Sequence, residues 1–103
     1  MRPTSITVSS ATTSAAIPIN WRAPGYFGIG IGCVNTGTNT YKVQHTFDDI
    51  FNSTVTPTWF DHASITGKTA AADGNYAFPI TAVRLNVTAW TSGSCTMTVV
   101  SGG

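Results

Sequence analysis

Polar and apolar residues alternate along much of this chain, most clearly between Val83 and Val99. Val83, Leu85, Val87 and Ala89 are interleaved with Arg84, Asn86, Thr88 and Trp90; after Thr91-Ser92-Gly93-Ser94 the pattern resumes with Cys95, Met97 and Val99 set against Thr96 and Thr98. Successive side chains of a strand point to opposite faces, so a repeat of two marks a strand with one buried face. Gly93 can take the positive φ of a tight turn, and the two runs are expected to form a closing hairpin. An isolated hairpin is marginal in water, so the earlier segments must cover it.

Those segments carry weaker versions of the same pattern. Thr4 to Ser10 places Ile6 and Val8 on one side and hydroxyls on the other, and Pro3 suggests a strand at a sheet edge. Ile17 to Arg22 alternates again, with Pro18 barring it from the middle of a sheet. In Tyr26 to Val34, Ile29, Ile31 and Cys33 share one face while Gly28, Gly30 and Gly32 leave the other bare. A bare face admits another backbone or an aromatic ring, with Trp21 or Trp90 as suitable lids. A phosphate-cradling loop would lead from a strand into a helix, whereas the polar turn Asn35 to Thr40 follows here. Thr40 to Phe47, with Tyr41, Val43, His45 and Phe47 on one face, completes a second expected hairpin.

The stretch from Asp48 to Ser53 breaks the alternation and reads as a helical turn or compact loop. Thr54 to His62 reads as an irregular plug with Trp59 and Phe60 in the core. Ala63 to Gly74 reads as a surface loop with a weak strand at best. Seven or eight short strands punctuated by Gly, Pro and Asn predict an all-β fold, an antiparallel β-sandwich of jelly-roll-like form. A chain of 103 residues fits a single domain, 1–103, with residues 1–10 as an edge strand or an interface arm.

Composition sharpens this picture. The chain has one leucine, no glutamate and 42% hydrophobic residues, and no apolar run approaches the roughly 18 residues that cross a bilayer, so no membrane partner is expected. Only 9% of residues are charged and the formal net charge is +1, against roughly 25% charged in ordinary globular proteins. A small soluble domain normally keeps a well-charged surface. The expectation is a neutral exterior partly covered by sister subunits, a homo-oligomer; the alternative is a monomer kept soluble by hydroxyls. Arg2, Arg22, Lys42, Lys68 and Arg84 are scattered singly, which argues against nucleic acid. The N-terminal stretch lacks the apolar core of a secretory signal, so assembly in a cytosol is expected. Cys33 and Cys95 both fall inward, where a disulfide or a pair of reduced thiols would fit, the latter suiting a cytosol.

The residues that could do chemistry are His45, Asp48, Asp49, Asp61 and His62, but their spacing matches no metal-ligand pattern and nothing resembles a nucleophile elbow. His45 is expected to be a half-buried sheet residue, and the acids to cap turns or pair with Arg84 or Lys42. No catalytic residue, metal or cofactor is expected. Contacts with partners are assigned instead to Arg2, Ile6, Val8, Trp21, Arg22 and Trp90, the last as an exposed anchor or as a lid.

Three runs carry a family resemblance: Y-K-V-Q-H-T-F-D-D-I-F from Tyr41, T-W-F-D-H from Thr58, and F-P-I-T-A-V-R-L-N-V from Phe78, followed by the Ser-Gly turn and a Thr/Val strand. Their order resembles small structural proteins of tailed bacteriophages, and is similar in particular to the β-sandwich decoration, or cement, proteins of phage heads. The resemblance implies a dimeric or trimeric subunit, made in the bacterial cytoplasm, that binds the virion surface and bridges copies of the major capsid protein without catalysis. Two other readings stand beside it: a receptor- or glycan-binding module of a head fibre or tail, and a small hydrolase with a pocket around His45 or His62.

Overall fold

The computed structural model describes residues 4–19, 28–76 and 80–101. Eight strands follow in chain order: β1 (Thr4–Val8), β2 (Ile17–Pro18), β3 (Ile29–Thr36), β4 (Asn39–Thr46), β5 (Trp59–Asp61), β6 (Ala72–Tyr76), β7 (Ala82–Trp90) and β8 (Ser94–Ser101). They form two four-stranded sheets with orders β1-β8-β3-β6 and β2-β7-β4-β5, and every strand pair is antiparallel. This is an eight-stranded jelly roll. Each step along the chain crosses from one sheet to the other except β4 to β5, which stay in the same sheet.

The crossing overturns both expected hairpins. β7 bonds β4, with Leu85 opposite Val43, and β8 bonds β3, with Val99 opposite Ile31. The glycine connections are arches that carry the chain over the end of the sandwich. Alternation tells which side of a strand is buried, but it carries no information about which strand lies alongside. At this end the two arches bond each other: Thr38 N–H donates to Ser92 O at 3.1 Å, and Thr91 and Ser92 N–H both donate to Thr38 O. Asn39 Nδ2 adds bonds to Thr36 O and Ser92 O. Gly37 and Gly93 sit back to back there at φ 75° and 81°. A Cβ on Gly37 would lie 2.6 Å from Ser92 O, and one on Gly93 would collide with the Thr36 carbonyl, so the contact needs glycine twice.

Between the sheets, Ile29, Ile31, Cys33, Met97 and Val99 meet Tyr41, Val43, Val83, Leu85 and Val87. Burying each large side chain contributes roughly 1.5 to 3 kcal/mol. Cys33 and Cys95 are buried and free. Cys33 faces Met97, two residues from Cys95, so the two cysteines are diagonal neighbours, with Cα atoms typically about 7 to 8 Å apart, beyond the roughly 4.4 to 6.8 Å between Cα atoms in a disulfide. Burial, and to a lesser degree the neighbouring Cys95, pushes the Cys33 thiol up to about 12; burial pushes Cys95 up to about 11.

The stretch 63–74 departs from its expected role as a surface loop. Ile65 is fully buried, and Ala72–Tyr76 forms β6 on the edge of β3. Ala-Asp-Gly-Asn has little intrinsic preference for a strand; pairing with β3 imposes it. Gly74 makes room for the plug, since a Cβ there would lie 2.9 Å from His62 Cε1 and 3.0 Å from Ile65 Cδ1. Trp59 and Phe60 are not core either: β5 is a short edge strand on which Trp59 is half-buried and Phe60 is exposed.

Candidate interaction surface

The outer face of sheet β1-β8-β3-β6 is built from the residues that alternate with the core. Cross-strand register lines them up in rows: Ser5, Thr98, Gly32 and Asp73 in one, Thr7, Thr96 and Val34 in the next, and Val100, Gly30 and Asn75 in a third. The hydroxyls pair along the rows, Ser5 Oγ with Thr98 Oγ1 at 2.8 Å and Thr7 Oγ1 with Thr96 Oγ1 at 2.9 Å. Val34, 62% exposed, and Val100 stand above this level surface. Over the glycine floor, expected to lie under Trp21 or Trp90, no described residue comes within 4 Å of a Cβ placed on Gly32, and Gly30 meets only the Val100 carbonyl at 4.0 Å; Trp21 lies outside the described residues. A shallow, mostly apolar groove beside it is lined by Gly32, Cys33, Val34, Ala71, Ala72 and Thr98, with Asp73 at its side. Asp73 is the one charged residue in these rows.

The outer face of sheet β2-β7-β4-β5 is of another kind. Arg84 Nε donates to Gln44 Oε1 at 2.9 Å, Gln44 Nε2 donates to Asp61 Oδ1 at 2.9 Å, and Lys42 Nζ lies 3.3 Å from the same carboxylate. The Arg84 guanidinium also stacks 4.2 Å above the Trp59 ring. Gln44 is buried although it points outward, because its neighbours close over it. The Gln44 amide, assisted by Lys42, holds the Asp61 carboxyl below its ordinary range. Partial burial lowers Arg84 from its usual value.

A third surface is the flank where β5 ends its sheet. Phe47 and Phe60 lie 5.8 Å apart, Phe60 stacks on His45 while Phe47 meets it edge-on, and Phe51 is 80% exposed in the loop after β4. Behind them His45 Nδ1 meets Tyr76 Oη at 2.8 Å, tying the sheets together. Burial lowers the His45 pKa, with His62 adding to the shift and Asp61 opposing it. His62 Nδ1 accepts the N–H groups of Ser64 and Ile65 while Nε2 faces Asn75 O at 3.0 Å, which fixes the tautomer with the proton on Nε2. Both histidines therefore act as structural cross-links. The acids behave as expected: Asp48 accepts Thr58 N–H, Asp49 accepts Phe51 N–H, and Asp61 pairs with Lys42.

No protein-family model matches the sequence, and no curated protein sequence matches it. Among solved structures, the chain is similar to one from Bacillus endospore appendages, which form disulfide-linked pili, at 17% identity and a TM-score of 0.45, over 95% of this chain and 82% of that one. It is also similar to a chain of infectious bursal disease virus Gx strain, at 14% identity and a TM-score of 0.33, over 99% of this chain but 33% of that one. The functional reading rests on the surfaces themselves.

Of the residues assigned to partner contacts, Arg2, Trp21 and Arg22 lie outside the described residues. Val8 is buried at 5% and Ile6 packs half-buried against the core, so β1 offers a partner its edge and the hydroxyls of Ser5 and Thr7 instead. Trp90 is exposed at the arch, with its indole N–H bonded to Gly93 O at 2.9 Å, and it does not cover the glycine face. Val34, Phe47, Phe51 and Val100 were missed. Gly32 held the signal, since a strand with one side stripped of side chains leaves whatever valine ends the run standing proud.

Proposed function

We propose that this chain is a structural virion protein that binds the outer surface of a phage capsid and stabilises it by bridging major capsid subunits. The observation that carries the proposal is the hydroxyl, glycine and valine face of sheet β1-β8-β3-β6. It is level, nearly uncharged, and marked by exposed valines. Such a surface can be desolvated at little cost, because its hydroxyls already bond one another and its one charge, Asp73, lies on the edge strand β6. The charged network on the opposite sheet would face solvent. A contact of about 1,200 to 2,000 Å² per copy, repeated over a shell, suffices for tight attachment.

A receptor- or glycan-binding role is the second reading, favoured by the exposed Phe47, Phe60 and Phe51 on the flank, since aromatic rings serve as platforms for sugars and proteins. The two separate by experiment. On purified virions the decoration role requires copy numbers comparable to those of the major capsid protein, and particles lacking the protein must rupture at lower temperature while still adsorbing to cells. Loss of adsorption with intact heads would instead establish the receptor role.

A further inference from the structure

Three of the four strands that end the two sheets are blunted. β2 is 2 residues long and contains Pro18, β5 is 3 residues long and ends in Asp61, and β6 carries Asp73 and Gly74. Short length, proline and charge are the devices by which folded proteins keep an edge from pairing with another chain. β1 has none of them. It is 5 residues, Thr-Ser-Ile-Thr-Val, all paired to β8 on one side, and among the described residues no strand lies along Ser5 to Val8 on the other.

We infer that β1 pairs with β1 of a second copy, antiparallel and about a twofold axis at Ile6, joining two β1-β8-β3-β6 sheets into one. The strand is complementary to itself in that register. Ser5 falls opposite Thr7 of the second copy on the hydroxyl face, and Ile6 falls opposite Ile6 on the core side. Ser5 already bonds Thr98 and Thr7 already bonds Thr96. A hydroxyl has one donor and two acceptor positions, so a continuous row of Thr98, Ser5, Thr7 and Thr96 can run across the junction. The half-buried Ile6 side chains cover each other. A shift of one residue would turn the hydroxyls toward the core, and a shift of two would shorten the paired stretch, so the axis at Ile6 is favoured. Among the described residues a second copy offers no other edge of this length without charge, so pairing closes as an isologous dimer and does not propagate. The inference stands apart from the capsid reading, although such a dimer would present two hydroxyl faces side by side.

Sedimentation equilibrium of the full chain tests it. The wild type is expected at twice the mass of one chain, and the S5K/T7K variant at the mass of one, because the twofold sets the introduced ammonium groups against each other. Both positions are exposed on the outer face, and circular dichroism checks the fold. Independently, S5C/T7C is expected to give covalent dimers on mild oxidation, and T96C/T98C, one strand inward on the same face, is expected to give none. A wild type at single-chain mass at its highest soluble concentration, an oligomer unchanged by S5K/T7K, or the absence of cross-linked dimers from S5C/T7C would overturn the proposal. Capsid attachment enters none of these measurements.

Discussion

The two outer faces of this jelly roll differ although both come from the same alternation. On sheet β1-β8-β3-β6 the outward positions hold Ser5, Thr7, Thr96, Thr98, Gly30, Gly32 and Val34; on sheet β2-β7-β4-β5 they hold Lys42, Gln44, Asp61, Arg84 and Trp59. The second face satisfies its charges within itself, through Arg84, Gln44 and Asp61 in line. The first has almost no charge to satisfy. A surface with its polar groups pre-paired and its side chains small is ready to be covered, whereas one that spends its charges on an internal network gains least from a partner. The difference lies in side-chain choice at equivalent positions of one architecture.

The comparison can be broken at its foundation or tested at either face. The largest effect is expected from Gly93→Ala, which destroys the close approach of the two arches that holds the faces in opposition. It should cost about 3 kcal/mol or more, read as a fall in the denaturation midpoint. Gly32→Arg places a charge in the middle of the neutral face where the described residues leave the space open. Stability should stay within about 1 kcal/mol of wild type, while occupancy on virions should fall at least about tenfold, or about 1.4 kcal/mol. Unchanged occupancy would remove this face from the interface. Gln44→Ala cuts the network on the other face and should cost about 1 to 2 kcal/mol of stability, with occupancy unchanged; a loss of occupancy matching that of Gly32→Arg would abolish the distinction.

The smallest effect concerns pH. His45 has a folded-state pKa below its ordinary 6.5, first because of burial. The unfolded chain therefore binds the proton more readily, and stability is complete above about 6.5 and declines as pH falls toward the folded value. Denaturation midpoints between pH 7 and 5 should show this decline, and His45→Gln should flatten it. An equally steep decline in that variant would assign the effect elsewhere.

Most strands, and which of their sides is buried, were legible in the alternation of Ile29, Ile31 and Cys33, of Val83, Leu85 and Val87, and of Cys95, Met97 and Val99. Pairing was not, because Gly37 and Gly93 look the same in a hairpin and in an arch; only the contact between two distant turns distinguishes them. β6 was hidden because Asp73 and Gly74 disfavour a strand, and its place depends on Gly74 receiving His62 and Ile65. Trp59 and Phe60 misled because large aromatics suggest a core, while Arg84 had already made an outer berth for Trp59. Of the candidate surface, low charge and hydroxyl richness announced a neutral exterior, but its concentration on one sheet depends on cross-strand register, which no local pattern encodes.

β8, last in chain order, lies between β1 and β3 in the middle of its sheet. During synthesis β1 and β3 therefore wait, without their shared neighbour, until Ser94 to Ser101 has emerged. Assembly of this sheet is set by β8, and slow closure of so distant a pairing is the expected kinetic signature. A chain truncated before Ser94 should be open to protease along its whole length, and one that extends through Ser101 should be protected throughout.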